Sequence, residues 1–339
     1  MSRRPPSRGG RQREEPQWPK PFGFVPFTGK VDRGDAPGHE RFLLAQHYSG
    51  RLIYDLVALK PVHVSSGIYA LSEDLKQPAG DVLRDHYRVT RPNGERRPAV
   101  PGSSLKGATR AVVEAVTHSC VVLTRVERRQ LPREARACRP EALCPACALF
   151  GAQSRLGRVS FSDAVVRKFK MAIQRVPALY GPRPWQSRRT YLDRQGNFIG
   201  RKFYFHGKPF DDPAGQRVET IAPESELGGY VDFHNLSGAE LGVLFFALGL
   251  DGSLRLMVGG GKPVCLGMVE FRPRGLALVT AVSLTEYDAA DEPLAGEALT
   301  RFIAERLKEA ERLIAPEARD KLREILAPEN TRDAPRGAY

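Results

Sequence analysis

No apolar run in this chain approaches the roughly 20 residues that a membrane-spanning helix needs, and the arginine-rich N-terminus lacks the apolar stretch of a secretory leader. Neither membrane insertion nor export is expected. Cysteine is scarce and odd in number: Cys120, Cys138, Cys144, Cys147 and Cys265 are the five. Without an export signal they argue against a disulfide framework and for a reducing, cytoplasmic setting, where clustered thiols point to metal. Acidic residues are in deficit, 39 against 52 Lys plus Arg, which leaves a formal charge of +13. That surplus favours a polyanionic partner, and with membranes disfavoured the better candidate is nucleic acid. No internal repeat of fixed short period is present. What is there suffices for a folded body: 41% hydrophobic residues supply a core, and 339 residues make one large domain with insertions or two modest ones.

Residues 1–40 are rich in Arg, Pro and Gly, as in Arg3-Arg4-Pro5-Pro6 and Arg8-Gly9-Gly10-Arg11, and are expected as a basic mobile tail. Residues 41–284 carry the core, and 285–339 a helical extension in which Leu299, Phe302, Ile303, Leu307, Ala310 and Ile314 keep helical spacing. Within the core, 51–59 reads as a strand, and 68–98 as a polar loop broken by Pro78, Pro92 and Gly94. A helix then begins at Pro101-Gly102-Ser103-Ser104, with Ser103 or Ser104 as its cap. A cysteine-bearing segment (118–150) is followed by a strand at 157–164 and a long basic insertion at 168–226, where Asn197 and Gly200 suggest a hairpin. A strand at 230–234, an apolar helix at 239–250 and strand residues within 255–271 complete the core. With the insertions removed, the order is strand, helix, strand, strand, helix, strand. That is an α+β, ferredoxin-like arrangement, the plan also of RRM modules that bind RNA.

Four constellations carry chemistry. The segment Gly102-Ser103-Ser104-Leu105-Lys106 delivers a helix N-terminus with two hydroxyls and a cation, a combination suited to phosphate. Gly259-Gly260-Gly261-Lys262 offers a backbone that approaches a ligand closely and can form an anion-binding nest. Cys144-Pro145-Ala146-Cys147 has the spacing of a zinc half-site, with Cys138 as third ligand and His118 or Cys120 as fourth, in a structural rather than a catalytic role. Acidic residues of the 68–98 loop, among them Asp74, Asp81 and Asp85, could position a divalent metal beside bound RNA.

Taken in order, several stretches resemble the RAMP superfamily, and within it the backbone-type subunits of type III CRISPR–Cas effector complexes. They are His63-Val64-Ser65-Ser66-Gly67, Val100-Pro101-Gly102-Ser103-Ser104-Leu105-Lys106-Gly107, Cys144-Pro145-Ala146-Cys147-Ala148-Leu149-Phe150-Gly151, the strand 157–164, Val231-Asp232-Phe233-His234-Asn235-Leu236 and the glycine loop. Gly200-Arg201-Lys202-Phe203-Tyr204-Phe205-His206 is similar to a segment of a long-insert group. The resemblance implies a subunit of antiviral defence that holds guide RNA by its backbone. Its partners would be complementary target RNA, other effector subunits and copies of itself. The helix after Pro101 and the glycine loop would contact the guide, with Arg201 and Lys202 as further RNA contacts, and the 168–226 insertion would carry a thumb-like hairpin. Some such subunits cleave the target with Mg or Mn and an Asp before the Pro101 motif. Asp85 is the nearest match, with Asp81 and Asp74 open. The alternatives are a non-cleaving structural or filament-capping subunit, and a precursor-processing endoribonuclease working through His63 or His86.

Overall fold

The computed structural model describes residues 20–35, 38–39, 45–71, 73, 82–121, 131–132, 135–179, 188–285, 293–330 and 332–334. Three strands of eleven residues form its spine: β2 (Tyr48–Ala58), β13 (Glu226–Leu236) and β15 (Met268–Leu278). Each alternates apolar and polar side chains, so one face can be buried and the other left to water. Leu52, Tyr54 and Leu56 of β2 are buried, and Leu227 and Val231 of β13 stand opposite Leu56 and Leu52. The eight-stranded sheet runs β14 (Leu256–Met257), β15, β2, β13, β8 (Ala164–Lys168), β6 (Arg96–Val100) and β5 (Arg88–Thr90), with β7 (Val159–Phe161) also on β13. Every pairing in its centre, β15-β2-β13-β8, is antiparallel.

Helix α1 (Gly102–Val116) buries Leu105, Val112, Val113 and Val116, and α2 (Pro145–Phe150) packs beside it. Helix α4 (Gly238–Ala247) opens with a capping box between Ser237 and Glu240 and buries Leu241, Val243, Leu244, Phe245 and Phe246. A helix apolar on all sides needs cover on its outer side too. Helix α6 (Gly296–Ala310) supplies that cover through Leu299, Ile303 and Ala310. The two helices cross closely at Gly242, where any side chain would overlap the Arg306 carbonyl. Helix α7 (Pro316–Leu326) packs against α1 and against β1 (Phe22–Val25). The C-terminal helices therefore complete this chain's own core.

A second sheet is formed by β3 (Ser65–Leu71), β4 (Val82–His86), β12 (Gln216–Ile221) and β9 (Met171–Val176), in that order. β1 pairs antiparallel with β10 (Arg201–Tyr204), and β11 (Gly207–Lys208) pairs with β16 (Arg332–Asp333). Short helices α3 (Arg188–Tyr191) and α5 (Ala281–Thr285) lie in the connections.

The strand, loop and tail assignments of the sequence reading change at three places. The tail expected as mobile over 1–40 includes, from residue 20 onward, strand β1 and the buried side chains Phe22, Val25 and Val31. A composition average across arginine- and proline-rich text hides a four-residue apolar strand whose partner, β10, lies far along the chain. The 68–98 stretch expected as loop holds the end of β3 together with β4, β5 and the start of β6, because β12 from the insertion supplies β4 with a neighbour. Near Asn197 a tight turn does form: Asp193 accepts from the Gln195 and Asn197 amides, and Leu192 bridges Phe198. The chain after it leaves to pair with β1 instead of closing a long hairpin.

Candidate functional site

A groove of about 740 Å³ lies between the start of α1, the glycine loop and the face of the second sheet. Ser103, Ser104 and Gly107 line it from α1, Gly259, Gly260, Gly261 and Lys262 from the loop, and Arg84 and Gln216 from the sheet. The loop's conformation explains its glycines. Gly259 and Gly261 hold φ of 77° and 71°, and a side chain at Gly259 would overlap the His63 carbonyl, which accepts from the Gly260 amide at 2.8 Å. Lys262 opens a turn of 3₁₀ helix, is partly buried, and has no ion-pair partner among the described residues. Burial pushes its pKa down. An uncompensated cation in a half-enclosed groove gains from an anion brought by a ligand.

The start of α1 is built otherwise than expected. Its cap position is Pro101, so Ser103 and Ser104 lie within the first turn and do not cap it. The Gly102 amide donates to Asp163 Oδ1 at 2.8 Å, and Asp163 Oδ2 accepts from the Tyr87 hydroxyl at 3.1 Å. A carboxylate thus already holds the positive end of the helix. What α1 offers the groove is the pair of serine hydroxyls. Lys106 falls on the adjoining face of α1, half-buried, with its pKa pushed down by burial and by nearby Arg110.

A polar network adjoins the groove, and its first member, His63, is among the groove's lining residues. His63 Nδ1 donates to the Glu219 carbonyl at 2.7 Å. His86 donates through Nε2 to the Ala99 carbonyl at 3.1 Å and accepts at Nδ1 from the Val64 amide at 3.2 Å, so neither ring nitrogen is left for a substrate. Arg88 bridges Asp85 and Glu219, the latter at 2.6 Å. Asp85, 3% exposed on strand β4, is not on a mobile loop. Asp74 and Asp81 lie outside the described residues.

Burial pushes the His86 pKa down to about 3 and that of His206 to about 4. Both rings are neutral in the fold, whereas in the unfolded chain they protonate near 6.5. The unfolded state therefore binds more protons below pH 6.5, and the fold loses stability as pH falls from 6.5 toward 3–4. We expect the urea midpoint to drop between pH 7 and pH 5 by an amount equivalent to about 1 kcal/mol per pH unit for each histidine. A midpoint flat across that window would contradict these assignments.

The sulfurs of Cys120, Cys138, Cys144 and Cys147 all lie within 4.8 Å of one another, a set that could hold a metal ion such as zinc. Cys120 and Cys147 are 3.5 Å apart and Cys120 and Cys144 3.6 Å, close to the roughly 3.8 Å edge of a tetrahedron with Zn–S bonds near 2.3 Å. Of the two candidates for fourth ligand, the geometry selects Cys120; His118 is exposed and outside the cluster. The Cys120 amide donates to Cys144 Sγ at 3.4 Å, and the Cys144 amide to Cys138 Sγ at 3.2 Å. Hydrogen bonding among the four thiols, with Cys120 the first partner of each of the other three, pushes Cys144 and Cys138 below the usual thiol range and Cys120 and Cys147 above it; a bound metal ion would favour the thiolate at all four.

Arg201 is engaged next to this cluster. Its guanidinium contacts Glu114 at 2.9 Å and the carbonyls of Ser119 and Cys120 at 3.0 and 2.8 Å. Lys202 sits against the rings of Phe22 and Tyr204, 4.1 and 4.6 Å from their centroids. The structure thus brings Ser103, Ser104 and 259–262 into one groove, and leaves Lys106, Arg201 and Lys202 out of its lining. Arg84 and Gln216, which do line it, carried no local signal, since nothing near them in sequence marks a ligand.

Residues 55–270, more than half of the chain, match the family model described as RAMPs, the RAMP superfamily. No curated protein matches.

Proposed function

The chain belongs to the RAMP superfamily, and from that premise we propose that it binds guide RNA by its backbone as a subunit of a CRISPR effector complex of the type III kind. One observation carries the reading. The two segments expected to touch RNA, about 155 residues apart in sequence, line one groove together with Lys262, a cation with no ion-pair partner among the described residues. The antiparallel strand order β15-β2-β13-β8, with α1 and α4 as crossovers, supports a ferredoxin-like, RRM-like core beneath it. The four cysteines act as a structural zinc site that ties the end of α1 to the segment before α2. Other effector subunits, further copies of this chain and complementary target RNA are the partners this role requires.

Of the three candidate acids for target cleavage, Asp85 is disfavoured by its placement, while Asp74 and Asp81 lie outside the described residues. A carboxylate that is 3% exposed and ion-paired to Arg88 is not presented to RNA in the groove. His86, enclosed with both nitrogens engaged, equally disfavours precursor processing through that residue.

The test is the salt dependence of RNA binding. Lys262→Ala should weaken binding of single-stranded RNA across sequences and lower the log–log salt slope by about 0.7, as for the loss of one phosphate contact. Binding by the wild type with an unchanged slope in the variant would remove Lys262 from the interface. No binding by the wild type would remove the reading itself.

A further inference from the structure

Strand β3 is an edge strand of the second sheet, and it carries apolar side chains into solvent. Tyr69 is 58% exposed and Leu71 53%; Val82, on β4, is 59% exposed. The register sets Tyr69 opposite Arg84 and Leu71 opposite Val82, so these four share one sheet face, while Leu83, on the other face, is buried. This strip is continuous with the groove. Arg84 and Gln216 line the groove, and both also touch Tyr69: Gln216 Nε2 donates to its hydroxyl oxygen at 3.1 Å, and the Arg84 guanidinium lies 5.7 Å from its ring centroid.

An edge strand with bare aliphatic and aromatic side chains is a liability unless something covers it. The charge around it identifies the cover. Arg84 borders the ring and Lys262 lies farther along the same groove, so an occupant must bring negative charge on one side and a flat apolar surface on the other. Single-stranded RNA has both, with phosphates along its backbone and bases whose faces stack on aromatic rings irrespective of sequence. The hydrogen bond from Gln216 fixes the ring before any ligand arrives, which lowers the ordering cost of stacking.

We propose that Tyr69 is a stacking platform: with RNA backbone in the groove, a nucleobase leaves the strand's own stack and lies on the Tyr69 ring beside Arg84. This rests on the RNA-binding reading above and adds a base contact to it. The contact is sequence-tolerant, as suits a protein that must accept any guide.

The experiment uses the full chain and single-stranded RNA carrying 2-aminopurine, whose emission is quenched on stacking. Wild type, Tyr69→Ala and Tyr69→Trp are compared in affinity, quenching and salt slope. Tyr69 is exposed, so neither change should disturb folding. Tyr69→Ala is expected to weaken binding about tenfold and to relieve the quenching, with the salt slope unchanged because no phosphate contact is lost. Tyr69→Trp should restore both affinity and quenching. If Tyr69→Ala matches the wild type in affinity and quenching while RNA still binds, the platform is wrong and the RNA-binding reading stands. If it leaves RNA affinity intact but abolishes self-association, the strip is a protein contact and the proposal is overturned. If the wild type binds no RNA, both fail together.

Discussion

Replacing Cys144 and Cys147 together by serine is expected to abolish about one equivalent of bound zinc and to cost the protein most of its stability. The four sulfurs that could hold it come from three places: Cys120 just after α1, Cys138 in the segment that follows, and Cys144 and Cys147 at the start of α2. A metal there joins elements that otherwise share little secondary structure. Apparent zinc-binding free energies in thiolate sites are on the order of 10 kcal/mol at neutral pH, comparable to the whole stability of a typical domain. Metal analysis of purified protein, and melting with and without a chelator, read the effect directly. Cys120→Ser should lose the metal as well, whereas His118→Ala and Cys265→Ser should retain it, because neither side chain belongs to the cluster. A metal-free wild type, or a chelator-insensitive melting curve in a zinc-loaded one, would end the structural-zinc reading.

Arg88→Ala should destabilise the fold by about 3–5 kcal/mol, the range for removing one partner of a buried ion pair. Its side chain is 12% exposed and serves two carboxylates, those of Asp85 and Glu219, which are all but fully buried. Glu219 also accepts from the His86 amide at 3.2 Å, and Arg88 donates to the His86 carbonyl at 3.0 Å. Without the guanidinium, two enclosed carboxylates face each other with no cation between them. Urea unfolding measures the loss. Adding Asp85→Asn and Glu219→Gln to Arg88→Ala should recover much of it by removing the stranded charges. A change below about 1 kcal/mol in the single variant would mean that the three side chains rearrange freely and that Asp85 is open to other duties.

These expectations show how far one-dimensional information reaches. Motifs defined by neighbouring residues were legible: the glycine run at 259–261, the serine pair at the head of α1, and the CxxC at 144–147. So were the long strands and helices, whose alternation or helical spacing is a local property.

What the sequence by itself determined is therefore the inventory: the charge surplus, the strand–helix order of the core, and the short segments whose residue types suit phosphate or metal. Only the tertiary structure decided which of these meet. It chose Cys120 over His118, since ligation depends on where sulfurs converge and not on spacing along the chain. It placed Asp163 at the head of α1, because a cap can come from any segment that crosses the helix end. It paired β1 with β10, across some 175 residues of chain, and turned a presumed loop into strands, because a strand is completed by a partner that local text does not name. It enclosed Asp85 and His86 and bared Tyr69. Burial is a sum over all neighbours, and the same residue type can be core, ion pair or contact surface according to what packs above it.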